Sequence, residues 1–272
     1  MATIREELTK HYSRGKYDQA IRDADRILTV NKGNVLAHEI RAKSFFKLGK
    51  YAEAQKAADE MVVAATASNA ARERAAAAVL KAQAIFEAGD FERAIREAES
   101  LRNSFEKYSA EYFEAALVAV WSLNYLQTTD AAKYVTKEIL ENSKNDLHRG
   151  LALLNRGIAA RYDKEFDQAT SFFAEGMRQL DSLPREPWHE SIVFRQYAGQ
   201  CEAGARAGTV QLDELLKELK SPSIVNQDII FLNSAVKLCR AYADGKNVDE
   251  ECAEAVKGGL SRTFVAVILC KR

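Results

Sequence analysis

The segment Gly15-Lys16-Tyr17, with Ala20 three residues beyond the aromatic, recurs 34 residues later as Gly49-Lys50-Tyr51 with Ala54. It returns after a further 40 residues as Gly89-Asp90-Phe91 with Ala94, and more weakly as Lys164-Glu165-Phe166 with Ala169. A period of a few tens of residues constrains the fold more than any single motif, because each copy is one supersecondary unit that must stack on its neighbours. Each copy sits between two amphipathic stretches, such as the residues from Val35 to Leu48 before Gly49. Their apolar residues return at helical spacing. The glycine suits the left-handed residue that ends a helix, the aromatic opens the next helix, and the small alanine lets the two helices approach.

Composition supports an all-α reading. Only 3 of the 272 residues are Pro and 13 are Gly, which leaves little turn chemistry for hairpins between strands. Further helix pairs follow the third copy, one with a Thr-Thr-Asp turn where glycine is expected and a fifth running into Phe166. Pro184, Pro187 and Pro222 interrupt the pattern, and two degenerate pairs complete a count of seven. The expected organisation is repeats over 1–181 and degenerate pairs over 182–272, continuing the array to an apolar end. The third copy's six extra residues fall near Ala65–Arg74, which predicts lengthened helices or a longer connection there.

These spellings resemble the tetratricopeptide repeat (TPR), whose usual period is matched by the first interval. The resemblance is strong over 1–103 and fair over 150–181. It implies an α-solenoid, a right-handed superhelix of antiparallel helix pairs, whose first helices line a concave groove. It also implies that the groove presents Arg5 and Tyr12 from the first copy, Lys43, Phe46 and Lys47 from the second, and Gln83 and Phe86 from the third. Trp121, Asn124 and Tyr125 fall on the corresponding face of the fourth pair, and Arg161 and Tyr162 on that of the fifth. Aromatics beside cations suit an extended or helical peptide, since rings supply contact area and Arg or Lys supplies register. The competing reading, that the aromatics fill the core between helices, stays open, because helical spacing does not separate the two faces.

The expected function is a non-catalytic protein-interaction scaffold or adaptor for complex assembly, acting on a protein or peptide partner. The alternative is a regulatory or sensor subunit that controls an associated enzyme or binds a small ligand. The family's chaperone clamp needs Lys, Asn, Asn, Lys and Arg where this chain carries Arg5, Thr9, Ile40, Ala76 and Leu80. An Hsp70 or Hsp90 C-terminal EEVD tail is therefore not the expected partner.

Other function classes start with little support. Lys plus Arg and Asp plus Glu both number 39, so no overall field draws nucleic acid. The charged start and the lack of a long apolar run predict neither a secretory signal nor membrane insertion, hence a cytoplasmic protein. His11, His38, His148 and His189 are scattered, and Cys201, Cys239, Cys252 and Cys270 have no close pair, so neither metal site nor disulfide framework is expected. No phosphate loop is present, and a Cys201 and His189 pair lacks a third partner. The expectation is no enzyme activity and no cofactor. Residues 264–270 are apolar on every side and are expected either to tuck against the last helices or to support self-association.

Overall fold

The computed structural model describes residues 4–181 and 183, with isolated positions at 241, 244, 246, 249, 250 and 253. The sixth pair, nearly all of the seventh, all four cysteines, His189 and the 264–270 tail lie outside the described residues. Ten helices run in order: α1 (Ile4–Tyr12), α2 (Tyr17–Val30), α3 (Val35–Lys47), α4 (Tyr51–Ala67), α5 (Ala71–Glu87), α6 (Phe91–Ser104), α7 (Ala110–Tyr125), α8 (Thr129–Asn142), α9 (Asp146–Tyr162) and α10 (Phe166–Asp181). No strand occurs among the described residues. The fold is all-α and of the tetratricopeptide solenoid type. Two compact units divide the chain, Met1–Ala119 and Val120–Arg272, with the boundary inside α7.

Every odd-numbered helix ends in the same turn. Gly15, Gly49 and Gly89 take φ of 69°, 71° and 90°, where a Cβ would be strained. Gly49 N–H donates to Phe46 O at 3.0 Å and Lys50 N–H to Phe45 O at 2.9 Å, and the bonds repeat around Gly15 and Gly89. This is the paired closure that satisfies the last carbonyls of a helix through a left-handed residue. The turns without glycine close identically. Gln127 and Lys164 hold the left-handed position at φ 57° and 64°, and donate to Asn124 O and Arg161 O.

The alanine that follows each turn is Ala20, Ala54, Ala94, Ala132 or Ala169, and all five are completely buried. A larger side chain there would push the paired helices apart. In the first unit Leu8, Ala20, Ala24, Leu28, Ala37 and Ile40 form one cluster linking α1, α2 and α3. Ala42, Ala57 and Leu80 carry the core from α3 through α4 to α5, with Phe45 and Phe46 against them.

Ion pairs cross between successive repeats at matching positions. Arg41 on α3 reaches Asp25 on α2 at 3.1 Å, and Lys81 on α5 reaches Asp59 on α4 at 2.8 Å. Both acids are more than half exposed, so each pair contributes only about 0–1 kcal/mol and acts chiefly on register.

In the second unit Lys133 on α8 reaches the α9–α10 turn, with Asp163 at 2.5 Å and Glu165 at 3.3 Å. Thr129 also donates to Asp163 at 2.9 Å. The α9–α10 approach depends on glycine: a Cβ at Gly157 would lie 2.6 Å from the Phe173 ring, and one at Gly150 would lie 2.7 Å from Leu180.

The third copy's extra residues lengthen two helices. Helices α4 and α5 each have 17 residues, against 14 in α2 and 13 in α3. Asn69, at φ 55°, closes α4 with Asn69 N–H to Thr66 O and Ala70 N–H to Ala65 O, so the insertion reads as helix plus one further left-handed turn.

Candidate functional site

Within Met1–Ala119 the first helices α1, α3 and α5 are neighbours. Tyr12, Phe46 and Phe86 lie three residues before the left-handed glycine of their turns. Each meets the aromatic that opens the following helix: Tyr12 with Tyr17, Phe46 with Tyr51 and Phe86 with Phe91, at centroid distances of 5.6, 5.7 and 5.6 Å, all edge-to-face. The edge-to-face arrangement is the one the ring quadrupoles favour. These pairs hold the two helices together across the turn, and they also set how much ring remains outside. Tyr12 and Phe46 are half-buried, whereas Phe86 is 7% exposed.

Polar groups surround those rings. Lys43 is 42% exposed and pairs with Glu39 at 2.5 Å, one turn along the same helix. Arg5 and Lys47 are exposed and Gln83 is half-buried. The Tyr12 phenol is pushed up to about 12, first by burial and then by Tyr17 and Glu39. It stays protonated, a hydrogen-bond donor, at any physiological pH. Glu114 on α7 is raised above the ordinary carboxylate range, chiefly by burial and then by Glu111, with Arg72 and Lys43 pulling the other way. Charges from α3, α5 and α7 thus act on one another within this unit.

At the chaperone-clamp positions, Ile40 and Leu80 are buried apolar residues. Thr9 is half-buried and donates its hydroxyl to Arg5 O at 2.8 Å.

Within Val120–Arg272 the position that holds an aromatic in the first three turns is occupied by Asn124 and Arg161. Asn124 is completely buried and donates to both the backbone and the side-chain oxygen of Asn155, each at 3.0 Å. Arg161 is 5% exposed with its guanidinium 4.4 Å from the Tyr162 ring centre. Trp121, Tyr125 and Tyr162 are half-buried.

One depression of about 590 Å3 opens in the first unit, between the first turn of α5, the end of α6 and the start of α7. Its lining includes Arg72 and Arg74 from α5, Glu106 and Glu111 from the α6–α7 connection and the start of α7, and the apolar Leu101 and Phe105. Sequence reasoning singled out none of these six. The available signal was the excess over the 34-residue period, which ends in Ala71-Arg72-Glu73-Arg74.

Among the described residues, no group of three or more His, Cys, Asp or Glu could hold a metal ion, and no helix is long and apolar enough to cross a membrane.

Comparison with protein-family models and with curated proteins finds no match for this chain. Solved structures do match in fold. A tetratricopeptide repeat protein from Parabacteroides merdae is 17% identical with a TM-score of 0.54, and the match covers 98% of this chain and 96% of that one. A human IFIT1 dimer with m7Gppp-AAAA is 12% identical with a TM-score of 0.61, covering 97% of this chain and 62% of that one. The apo quorum sensor NprR from B. thuringiensis is 11% identical with a TM-score of 0.59, covering 94% and 77%. At these identities the likeness is one of fold, and the fold is that of tetratricopeptide-repeat proteins.

Proposed function

We propose that this protein is a non-catalytic interaction scaffold, and that the first helices of Met1–Ala119 form a groove for an extended or helical segment of a protein partner. The observation that carries this reading is the partial exposure of Lys43 and Phe46, one turn apart on α3, a helix that neighbours α1 with Tyr12 and α5 with Gln83. A half-exposed ring one turn from a cation, with a half-buried phenol and an amide on the neighbouring helices, offers contact area and hydrogen bonds at a cost in entropy lower than that of long aliphatic side chains. Arg5 and Lys47 extend the site. Phe86 shapes it from beneath by holding Phe91. In the second unit, Trp121, Tyr125 and Tyr162 supply ring surface, while Asn124 and Arg161 fix the helices that carry them.

A peptide fits this face better than nucleic acid does. Stacking rings are present, but the chain's formal net charge is zero, so the electrostatic term that dominates phosphate-backbone binding is weak. Chaperone EEVD tails are poor candidates because two clamp positions are filled by buried Ile40 and Leu80.

The test is a quantitative affinity capture with the full chain, comparing wild type with Lys43→Glu/Gln83→Ala, neither of which holds the core together, and with Phe46→Ala. Circular dichroism checks that each variant stays helical. Proteins retained by the wild type should be lost by both variants. The same proteins bound equally by all three would show that the first-helix face is not the binding surface.

A further inference from the structure

The insertion that breaks the 34-residue period does more than lengthen two helices. It gives α5 an extra first turn, and that turn supplies Ala71, Arg72, Arg74 and Ala75 to one wall of the 590 Å3 depression. In repeat arrays, insertions within single repeats gather on one face, often the binding face. Another wall comes from the connection between α6 and α7. Its backbone is held in an unusual state: Tyr108 takes φ 67°, rare and costly for a bulky side chain. The Tyr108 ring stacks on Phe113 at 6.0 Å and 9°, and meets Tyr112 edge-on at 5.9 Å. Ser109 then caps α7 by accepting from Tyr112 N–H at 3.2 Å. The wall is therefore fixed by ring packing and a cap rather than left loose.

Two cations from one segment and two anions from another line this cavity. Arg72 and Arg74 line it from α5, Glu106 and Glu111 from the α6–α7 connection and the start of α7, and Leu101 and Phe105 add apolar surface. Nearby cations are committed elsewhere: Lys81 holds Asp59 at 2.8 Å, and Arg102 holds Glu99 at 2.7 Å and the Tyr112 hydroxyl at 2.9 Å. Among the described residues Arg72, Arg74, Glu106 and Glu111 close no ion pair or side-chain hydrogen bond with one another, although Arg72 and Glu111 act on the Glu114 carboxyl from a distance. Opposite charges that share a cavity without closing on one another leave room for something between them. The volume lies within the range of small-molecule and short-peptide sites, roughly 300–1,000 Å3.

We propose that this cavity is a binding site, separate from the α3-centred groove, for a short peptide that carries a carboxylate and an ammonium or guanidinium on either side of an apolar side chain. The two arginines take the carboxylate, the two glutamates take the cation, and Leu101 with Phe105 takes the apolar group. A single free amino acid has the same chemistry, so the test separates the two sources.

The probes are acetylated, amidated hexapeptides in which Glu, Phe and Lys are separated by glycines in both orders, with all-Glu, all-Lys and uncharged versions as controls, and free phenylalanine as competitor. Binding to the full chain is read by calorimetry, alongside Arg72→Ala/Arg74→Ala and Glu106→Gln/Glu111→Gln variants. Both variants should keep wild-type helicity; Arg72 and Glu111 also act on the Glu114 carboxyl, so a small change in melting is expected of either variant and is not itself a loss of the site. A mixed-charge hexapeptide should bind with Kd near 100 μM or tighter, and each double variant should weaken it at least tenfold. Competition by phenylalanine, lost in the same variants, would keep the site and assign it to free amino acids. No binding up to about 1 mM, equal binding by the variants, or a preference for the all-Glu peptide would overturn the proposal. Such a failure leaves the groove reading untouched, because Lys43, Phe46 and Gln83 line no part of this cavity.

Discussion

The two units build the same helical turn from different residues. In Met1–Ala119 the turn that ends each of α1, α3 and α5 has glycine at the left-handed position and an aromatic pair across it, as in Phe46 with Tyr51. In Val120–Arg272 the left-handed residue is Gln127 or Lys164, and the aromatic before it is replaced by buried Asn124 or Arg161. The backbone bonds are the same, and so is the fully buried alanine three residues into the following helix. Glycine and the ring pair are therefore conveniences of the hairpin, whereas a small residue at the helix crossing is its requirement. The physical reason is one of scale. A strained φ at a single residue costs about 1–2 kcal/mol and can be offset locally, while a side chain with nowhere to go must displace a helix.

The largest effect that can break this comparison is at the alanines. Ala94→Leu in the first unit and Ala132→Leu in the second should each destabilise by about 3 kcal/mol or more, from overpacking at a fully buried site. Urea unfolding followed by circular dichroism measures both. If Ala132→Leu costs less than about 0.5 kcal/mol while Ala94→Leu costs the full amount, the second unit does not depend on the close crossing and the shared rule fails.

A smaller effect sharpens the comparison at the turns. Gln127→Gly and Lys164→Gly relieve a Cβ at positive φ and should stabilise by about 0.5–1 kcal/mol, and Gly49→Ala should cost about 1 kcal/mol. The two directions must oppose each other. Destabilisation by both glycine substitutions would mean that the Gln127 and Lys164 side chains contribute more than their strained backbones cost.

Much of this architecture was legible in the chain, for reasons that can be located. Gly15, Gly49 and Gly89 announce their turns because few residues tolerate that φ, and Ala20, Ala54 and Ala94 announce the crossings because large residues do not fit. Gln127 could not be read as a turn residue in the same way, since glutamine carries no preference for positive φ. Only its helix flanks locate it. The rings of Tyr12, Phe46 and Phe86 left two readings open because the inter-helix core and the first-helix face share one stripe of the helix. The structure gives each ring a partner and shows how much of it stays exposed. The 590 Å3 cavity was hidden for another reason: its six principal residues come from three places in sequence, and only the lengthened period at Ala65–Arg74 hinted at any of them.

The smallest expected effect tests whether the first unit's charges share one space, as the groove reading requires. Burial holds the Glu114 carboxyl above its ordinary value of 4.5, Glu111 raises it further, and Arg72 and Lys43 oppose the shift. A carboxyl raised in the folded state favours folding while protonated and disfavours it once ionised. Its cost is therefore absent below the unfolded value and grows as the pH rises from there through the raised folded value. Glu114→Gln should accordingly raise Tm at neutral pH, and the gain should fade as the pH is lowered into the ordinary carboxylate range. Lys43→Ala, which removes one opposing cation, should make the wild-type Glu114 costlier and so enlarge the gain from Glu114→Gln. Thermal melts of the four chains across pH 3–8 close that cycle. A coupling of zero would mean that Lys43 and Glu114 do not sense each other, and that α3 and α7 do not present their charges to a common ligand.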